Sequence, residues 1–286
     1  MDLKGHSKFK LELIKESNGY SVKKIANGTA LAIRLILQGG KQITYQKLIS
    51  SCELKYVFEV PKLLTTKSNT DNAYFIMPFY NGKNILDVLE RGDITMLDDL
   101  IDKIFMYLDW EFENSVEEFP YETIQGKLIN LGVKIAKTDY PIFKNIMIDL
   151  MDTVSSSGIR EPIPVGMCHG DFTFSNMIFG NKIILIDFLD SFVESPLQDV
   201  AKLLQEVRLK WTLLMDNPTD RDLTKINIGY EYLQDKIIDR ISKRLPEYER
   251  LIGIFYLITL LRIIPYTKKD TRIYRALIKE IKRSQI

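Results

Sequence analysis

The chain has 286 residues, 45% of them hydrophobic, enough to bury a sizeable core and to build two lobes. Its 39 basic and 38 acidic side chains leave a net charge of +1, which excludes the strong field that nucleic acid or an anionic membrane calls for. Two cysteines, Cys52 and Cys168, exclude a disulfide framework, and no apolar leader or span-length run is visible, so a cytoplasmic protein without membrane insertion is expected.

Residues 1–82 read as a small β-rich lobe. Gly5-His6-Ser7-Lys8 is short, small and polar, and it precedes an alternating strand over Phe9–Ile14. Ser17-Asn18-Gly19 is a hairpin signal, and Tyr20–Ala26 is the next strand. Alternation puts Val22 and Lys24 on one face of it and Lys23 on the other. A helical stretch follows from Thr29 to Ser50, in which Gly39-Gly40 should weaken or break the helix. Val57–Leu64, with Pro61 inside, reads as an edge strand, and Ala73–Met77 as a buried one that Pro78 ends.

From residue 83 to 286 the helical period dominates. Stripes recur from Ile85, over Leu97–Trp110, Ile124–Ala136 and Ile142–Val154, and again over Leu223–Lys243, Glu247–Pro265 and Thr271–Ser284. Between the first of these, Trp110–Glu122 mixes aromatic and acidic residues; it suits a cationic ligand, but a solvated loop with packing aromatics is the stronger reading. Val165–Cys168 reads as a strand, and a helix with Val200, Leu203, Leu204 and Val207 follows Asp199, which can cap it.

The chemistry concentrates in Met167–Asp187. There Asp171, Asn176 and Asp187 punctuate an apolar run that reads as two short strands joined by Gly180-Asn181. Such a hairpin would return Asp187 to Asn176, giving a carboxylate and an amide oxygen suited to Mg²⁺. Asp171 stands five residues before Asn176, placed to accept a proton from a substrate hydroxyl.

The wording His169-Gly170-Asp171, Asn176 and Ile186-Asp187-Phe188 resembles the aminoglycoside phosphotransferase and choline kinase group. It departs from protein kinases, since no Arg follows the His and Leu189 follows Phe188. The longer run Cys168–Asn176 with Leu185–Asp190 also resembles bacterial phosphotransferases associated with surface-polysaccharide synthesis. The resemblance implies an α+β, bilobal protein-kinase-like fold, with residues 1–82 as the small lobe and 83–286 as the larger, mainly helical one.

It further implies ATP (or another NTP) and Mg²⁺ as cofactors, and transfer of a phosphoryl group to a small-molecule hydroxyl acceptor such as a sugar, amino alcohol or aminoglycoside. By the same resemblance, Asp171 is the catalytic base with His169 positioning its loop, and Asn176 and Asp187 hold the metal. Lys24 meets the nucleotide phosphates under a cover formed by Gly5, His6 and Ser7, and Met77, Phe79 and Tyr80 form the adenine hinge. Asp190 and Glu194 are candidates for acceptor binding, and Asp199 ties down the catalytic loop. The family places an acid on the first helix to hold the lysine, yet no Asp or Glu occurs between Ser17 and Cys52, leaving Gln38 or Gln42 for that task. Only eleven residues separate Asp187 from Asp199, too few for a peptide-docking segment, and no protein partner is readable. A nucleotide-binding pseudokinase or scaffold is the alternative.

Overall fold

The computed structural model describes residues 9–17, 19–69, 71–157 and 161–284. They fall into two compact units: Met1–Ile85 with Ser175–Asp190, and Leu86–Phe174 with Ser191–Ile286. The architecture is mixed α+β, with the larger sheet near the amino terminus and helices dominating afterwards.

In the first unit, β1 (Lys10–Glu16), β2 (Gly19–Asn27), β4 (Thr65–Ser68) and β5 (Asn72–Pro78) form an antiparallel sheet in the order β1-β2-β5-β4. Strand alternation turns Val22, Lys24 and Ala26 to the face where Ala73, Phe75 and Met77 of β5 are also buried. Helix α1 (Thr29–Ser51) covers that face with Ala32 and Leu35.

The helix runs unbroken through Gly39-Gly40, against the expectation of a break. A Cβ at Gly39 would sit 3.5 Å from Leu63 and 3.6 Å from Phe75, ordinary contact distances, so the packing there does not itself demand glycine. The helix continues because burial of Ala32, Leu35, Tyr45 and Ile49 along one face outweighs a propensity cost of about 1 kcal/mol per glycine.

The expected edge strand over 57–64 shrinks to β3 (Phe58–Glu59). The longer pairing belongs instead to β4, whose four residues are all exposed and carry no hydrophobic alternation. β3 joins a second sheet in parallel to β9 (Ile183–Leu185), which pairs antiparallel with β8 (Met177–Phe179). Lys83 and Phe179 exchange backbone hydrogen bonds at 2.9 and 2.8 Å, locking this hairpin to the end of the first segment. A side chain at Gly82 would lie 2.3 Å from Ile178 Cγ2, so the approach requires glycine.

The second unit takes up α2 (Ile85–Arg91) almost entirely, together with α3 (Ile94–Glu113), α4 (Tyr121–Ala136) and α5 (Pro141–Ser157). A two-stranded ribbon pairs β6 (Val116–Glu118) with β7 (Ile163–Val165). The strand expected at 165–168 therefore ends earlier, and its partner comes from the acidic, aromatic stretch.

Helix α6 (Pro196–Leu209) is the core of this unit, packed by α3, α8 (Leu223–Arg244), α9 (Glu249–Leu261) and α10 (Arg272–Arg283). The short α7 (Trp211–Asp216) follows α6 after a left-handed residue, Lys210. Ser195, with Pro196 in the first turn, caps α6 by accepting from the Leu197 N–H. The cap is thus not Asp199, one turn further on, whose carboxylate is used elsewhere. Among the described residues no helix is long and apolar enough to cross a membrane.

Candidate active site

The first unit assembles a buried lysine and a carboxylate. Lys24 is 1% exposed, with its ammonium 4.7 Å above the Phe9 ring and 6.0 Å from that of Phe75. It donates to Asp187 Oδ1 at 2.8 Å and to Gln38 Oε1 at 3.1 Å. Of the two glutamines, Gln38 meets the lysine; Gln42 turns to the Pro61 carbonyl at 2.8 Å and the Met77 sulfur at 3.7 Å. A neutral amide therefore replaces a carboxylate as the helix partner of this cation.

Asp187 owes its position to the residues around it. The Ile186 N–H donates to the Asn176 carbonyl at 3.1 Å, so the hairpin closes with Asp187 one residue beyond this link. Phe188 is fully buried against Tyr45, ring centroids 4.7 Å apart, and Lys41 holds the Leu189 carbonyl at 2.6 Å. Between these anchors Asp187 adopts φ +61°, unusual for a residue other than glycine and within reach of Asp and Asn.

Asp187 Oδ2 makes no hydrogen bond among the described residues. One carboxylate and one amide fit Mg²⁺, which commonly takes one or two protein oxygens and completes its shell with water and phosphate. No group of three or more His, Cys, Asp or Glu able to hold a metal occurs among the described residues.

The second unit carries the loop from His169 to Phe174. Gly170 has φ +84°, which permits the sharp turn between His169 and Asp171. The Asp199 carboxylate accepts from the backbone N–H groups of both His169 and Gly170, the latter at 2.7 Å. His169 is fully buried, and its Nδ1 accepts the Asp171 N–H at 3.3 Å. Phe172 stacks on Tyr107 with centroids 4.7 Å apart, fixing the loop from below.

Two further residues of α6 reach this loop, and sequence reasoning missed both. Lys202 Nζ lies 2.9 Å from Asp171 Oδ1. Glu206 accepts from the Phe174 N–H at 3.2 Å, the Thr212 N–H at 3.0 Å, the Thr212 hydroxyl at 2.9 Å and the Tyr230 hydroxyl at 2.8 Å. Burial pushes the Glu206 carboxyl up to about 6, against the pull of those donors. Asp199, Lys202 and Glu206 recur at helical spacing, and that stripe was the signal available in the sequence.

The other expected positions are more scattered. Gly5, His6 and Ser7 lie outside the described residues. Met77 is buried opposite Val22, and the Phe79 N–H is used by the Tyr20 carbonyl at 2.9 Å, which extends the β2–β5 ladder. The Tyr80 hydroxyl donates to Glu59, and burial together with that carboxylate holds the phenol well above its ordinary range.

Asp190 is exposed, whereas Glu194 accepts from the Ser191 N–H at 2.8 Å and the Cys168 thiol at 3.2 Å. The acidic, aromatic stretch contributes Phe112, Glu113 and Glu117 to a cavity of about 590 Å³ that Tyr248 and Glu247 also line. None of Asp171, Asp190 and Glu194 borders it.

The model of the phosphotransferase enzyme family matches residues 151–237, the segment that holds Asp171, Asn176, Asp187 and Asp199. No curated protein matches the sequence. Among solved structures, a thermostable mutant of aminoglycoside phosphotransferase APH(4)-Ia, in ternary complex with ADP and hygromycin B, superposes with TM-score 0.62. It is 13% identical and covers 99% of this chain and 93% of that one. A glucosamine kinase in complex with glucosamine, ADP and inorganic phosphate gives TM-score 0.56 at 10% identity, covering 96% and 76%. ADP-bound aminoglycoside phosphotransferase APH(2'')-Ib gives 0.54 at 17% identity, covering 97% and 94%. The fold is therefore that of the kinase-like phosphotransferases, as the resemblance implied.

Proposed function

We propose that this chain, with its phosphotransferase-family segment at 151–237, transfers the γ-phosphoryl group of ATP or another nucleoside triphosphate to a hydroxyl of a small molecule. The observation that carries the reading is the buried Lys24 ammonium held 2.8 Å from Asp187. An ion pair set among Phe9 and Phe75 is costly to desolvate and contributes little net stability, so its use is as a preorganised phosphate and metal clamp.

In this reading Lys24 steadies the nucleotide phosphates, and Asn176 and Asp187 hold Mg²⁺. The ion, when bound, offsets the charge that develops on the transferred group. Asp171 accepts the proton of the acceptor hydroxyl as its oxygen bonds to the γ-phosphorus. The bond from that phosphorus to the β–γ bridging oxygen breaks, and the nucleoside diphosphate leaves. Asp199 and Glu206 keep the loop backbone in place, and His169 shapes it from inside. A cytoplasmic setting, where ATP and Mg²⁺ are available and the free thiols of Cys52 and Cys168 stay reduced, goes with this activity.

The test is ADP release with Mg-ATP over a panel of sugars, polyols, amino alcohols and aminoglycosides. Asp171→Asn is expected to bind ATP as the wild type does while turnover drops by roughly 10²-fold or more. Unchanged turnover in that variant removes Asp171 from the role. One observation, the neutral Gln38 in place of a helix carboxylate, favours the scaffold alternative. Tight Mg-ATP binding with no turnover on any acceptor would decide for it.

A further inference from the structure

Lys202 has no part in the reaction described above, yet its position bears on which acceptor can react. Its side chain is 14% exposed, and its ammonium is fixed at two points: Asp171 Oδ1 at 2.9 Å and Gln205 Oε1 at 3.1 Å. Gln205 is itself buried, so the cation is held along one edge of the carboxylate rather than waving in solvent.

An acceptor hydroxyl that donates to Asp171 must come within about 3 Å of that carboxylate, which puts its oxygen roughly 4–6 Å from the ammonium. Lys202 neutralises the Asp171 charge that would otherwise attract a protonated amine on the neighbouring carbon of the acceptor. On its own side of the carboxylate it meets that amine as a like charge. Three acids of the same unit are committed to partners of their own. Glu194 accepts from Ser191 and Cys168, Asp199 from the loop amides, and Glu206 from Phe174, Thr212 and Tyr230.

We infer that Lys202 sets the acceptor class of the site: a neutral or anionic sugar or polyol, with no ammonium beside the reacting hydroxyl. The inference rests on the phosphotransferase reading and narrows it. It separates this chain from solved relatives whose complexes hold aminated ligands, namely hygromycin B and glucosamine.

The test uses acceptors that differ only in the amine, with Mg-ATP at pH 7. Ethylene glycol is set against ethanolamine and glycerol against 2-amino-1,3-propanediol, in which every hydroxyl neighbours the amine. Glucose is set against its 2-amino and 3-amino forms, scored for transfer to a hydroxyl next to the amine. The kcat/KM values are compared for the wild type, Lys202→Arg and Lys202→Gln. The wild type is expected to prefer the unaminated member by roughly tenfold, between the water-like and protein-like limits of screening. Lys202→Arg should keep the preference. Lys202→Gln should shrink it to less than about threefold, mainly through the KM of the aminated acceptor.

Equal or better use of the aminated member by the wild type overturns the inference, as does a preference undiminished in Lys202→Gln. If Lys202→Gln does not melt cooperatively, Lys202→Met is read in its place, and the wild-type comparison decides regardless. Absence of ADP with every acceptor overturns the phosphotransferase reading and this inference together. Turnover without discrimination overturns the inference alone.

Discussion

Lys24 shows how far a single residue can be read before its neighbours are known. Strand alternation separates it from Lys23, because only the even positions of β2 share the covered face with Val22 and Ala26. Its helix partner was not separable in that way. Gln38 and Gln42 lie one turn apart on α1 and are both buried, so only the tertiary structure shows which amide meets the ammonium. Replacing Lys24 with Met should raise the KM for ATP and cut turnover by at least tenfold. The melting temperature should hold or rise, because an apolar side chain of similar length fills the space and Asp187 can be hydrated. Kinetics beside thermal melts of the same preparation check this. A collapse in stability would mean that the lysine is principally structural.

At the scale of elements, α6 does two jobs that its sequence shows only in part. The apolar positions Val200, Leu203, Leu204 and Val207 mark it as a helix, and Asp199 stands out at its start. Lys202 and Glu206 do not stand out, because charged residues between leucines usually belong to a solvated face. In the structure nearly the whole circumference is buried, so each polar residue must have a partner, and three of them find it in the 169–174 loop. The short ribbons were hidden for a different reason: β4 and β6 are fully exposed and carry no periodic apolar signal.

Glu206 gives this element a measurable pH signature. Burial raises its folded carboxyl from 4.5 to about 6, so the folded state binds the proton more tightly than the unfolded chain. Its contribution is fully present below about pH 4.5 and is lost as pH rises through about 6, a change of about 2 kcal/mol. Urea unfolding of wild type and Glu206→Gln between pH 4 and pH 7 should show the wild type losing about 2 kcal/mol relative to the variant. A constant difference across that range would show that the carboxyl titrates alike in both states.

For the molecule as a whole, the order of the chain does not follow the order of its units. The first unit is completed by Ser175–Asp190, which supplies the β8–β9 hairpin, the parallel partner of β3, and the carboxylate opposite Lys24. Hydropathy and turn signals divided the chain by position, and they carry no information that a distant hairpin docks on an earlier sheet, since strand pairing across such a separation leaves no local mark. Residues 1–85 expressed alone should therefore lack a cooperative thermal transition by circular dichroism, while the full chain melts cooperatively. A sharp transition in the fragment would show that β1, β2, β4, β5 and α1 suffice by themselves.

That interleaving has a consequence for biosynthesis. At ordinary translation speeds about 5–20 s pass between the emergence of residue 85 and that of residue 190. During this interval the nascent amino-terminal layer has no hairpin to dock on, and the buried ammonium has no counter-ion. Slowing or pausing the ribosome within that window should lengthen the exposure of an incomplete sheet to chaperones, whereas pauses after residue 190 should matter far less.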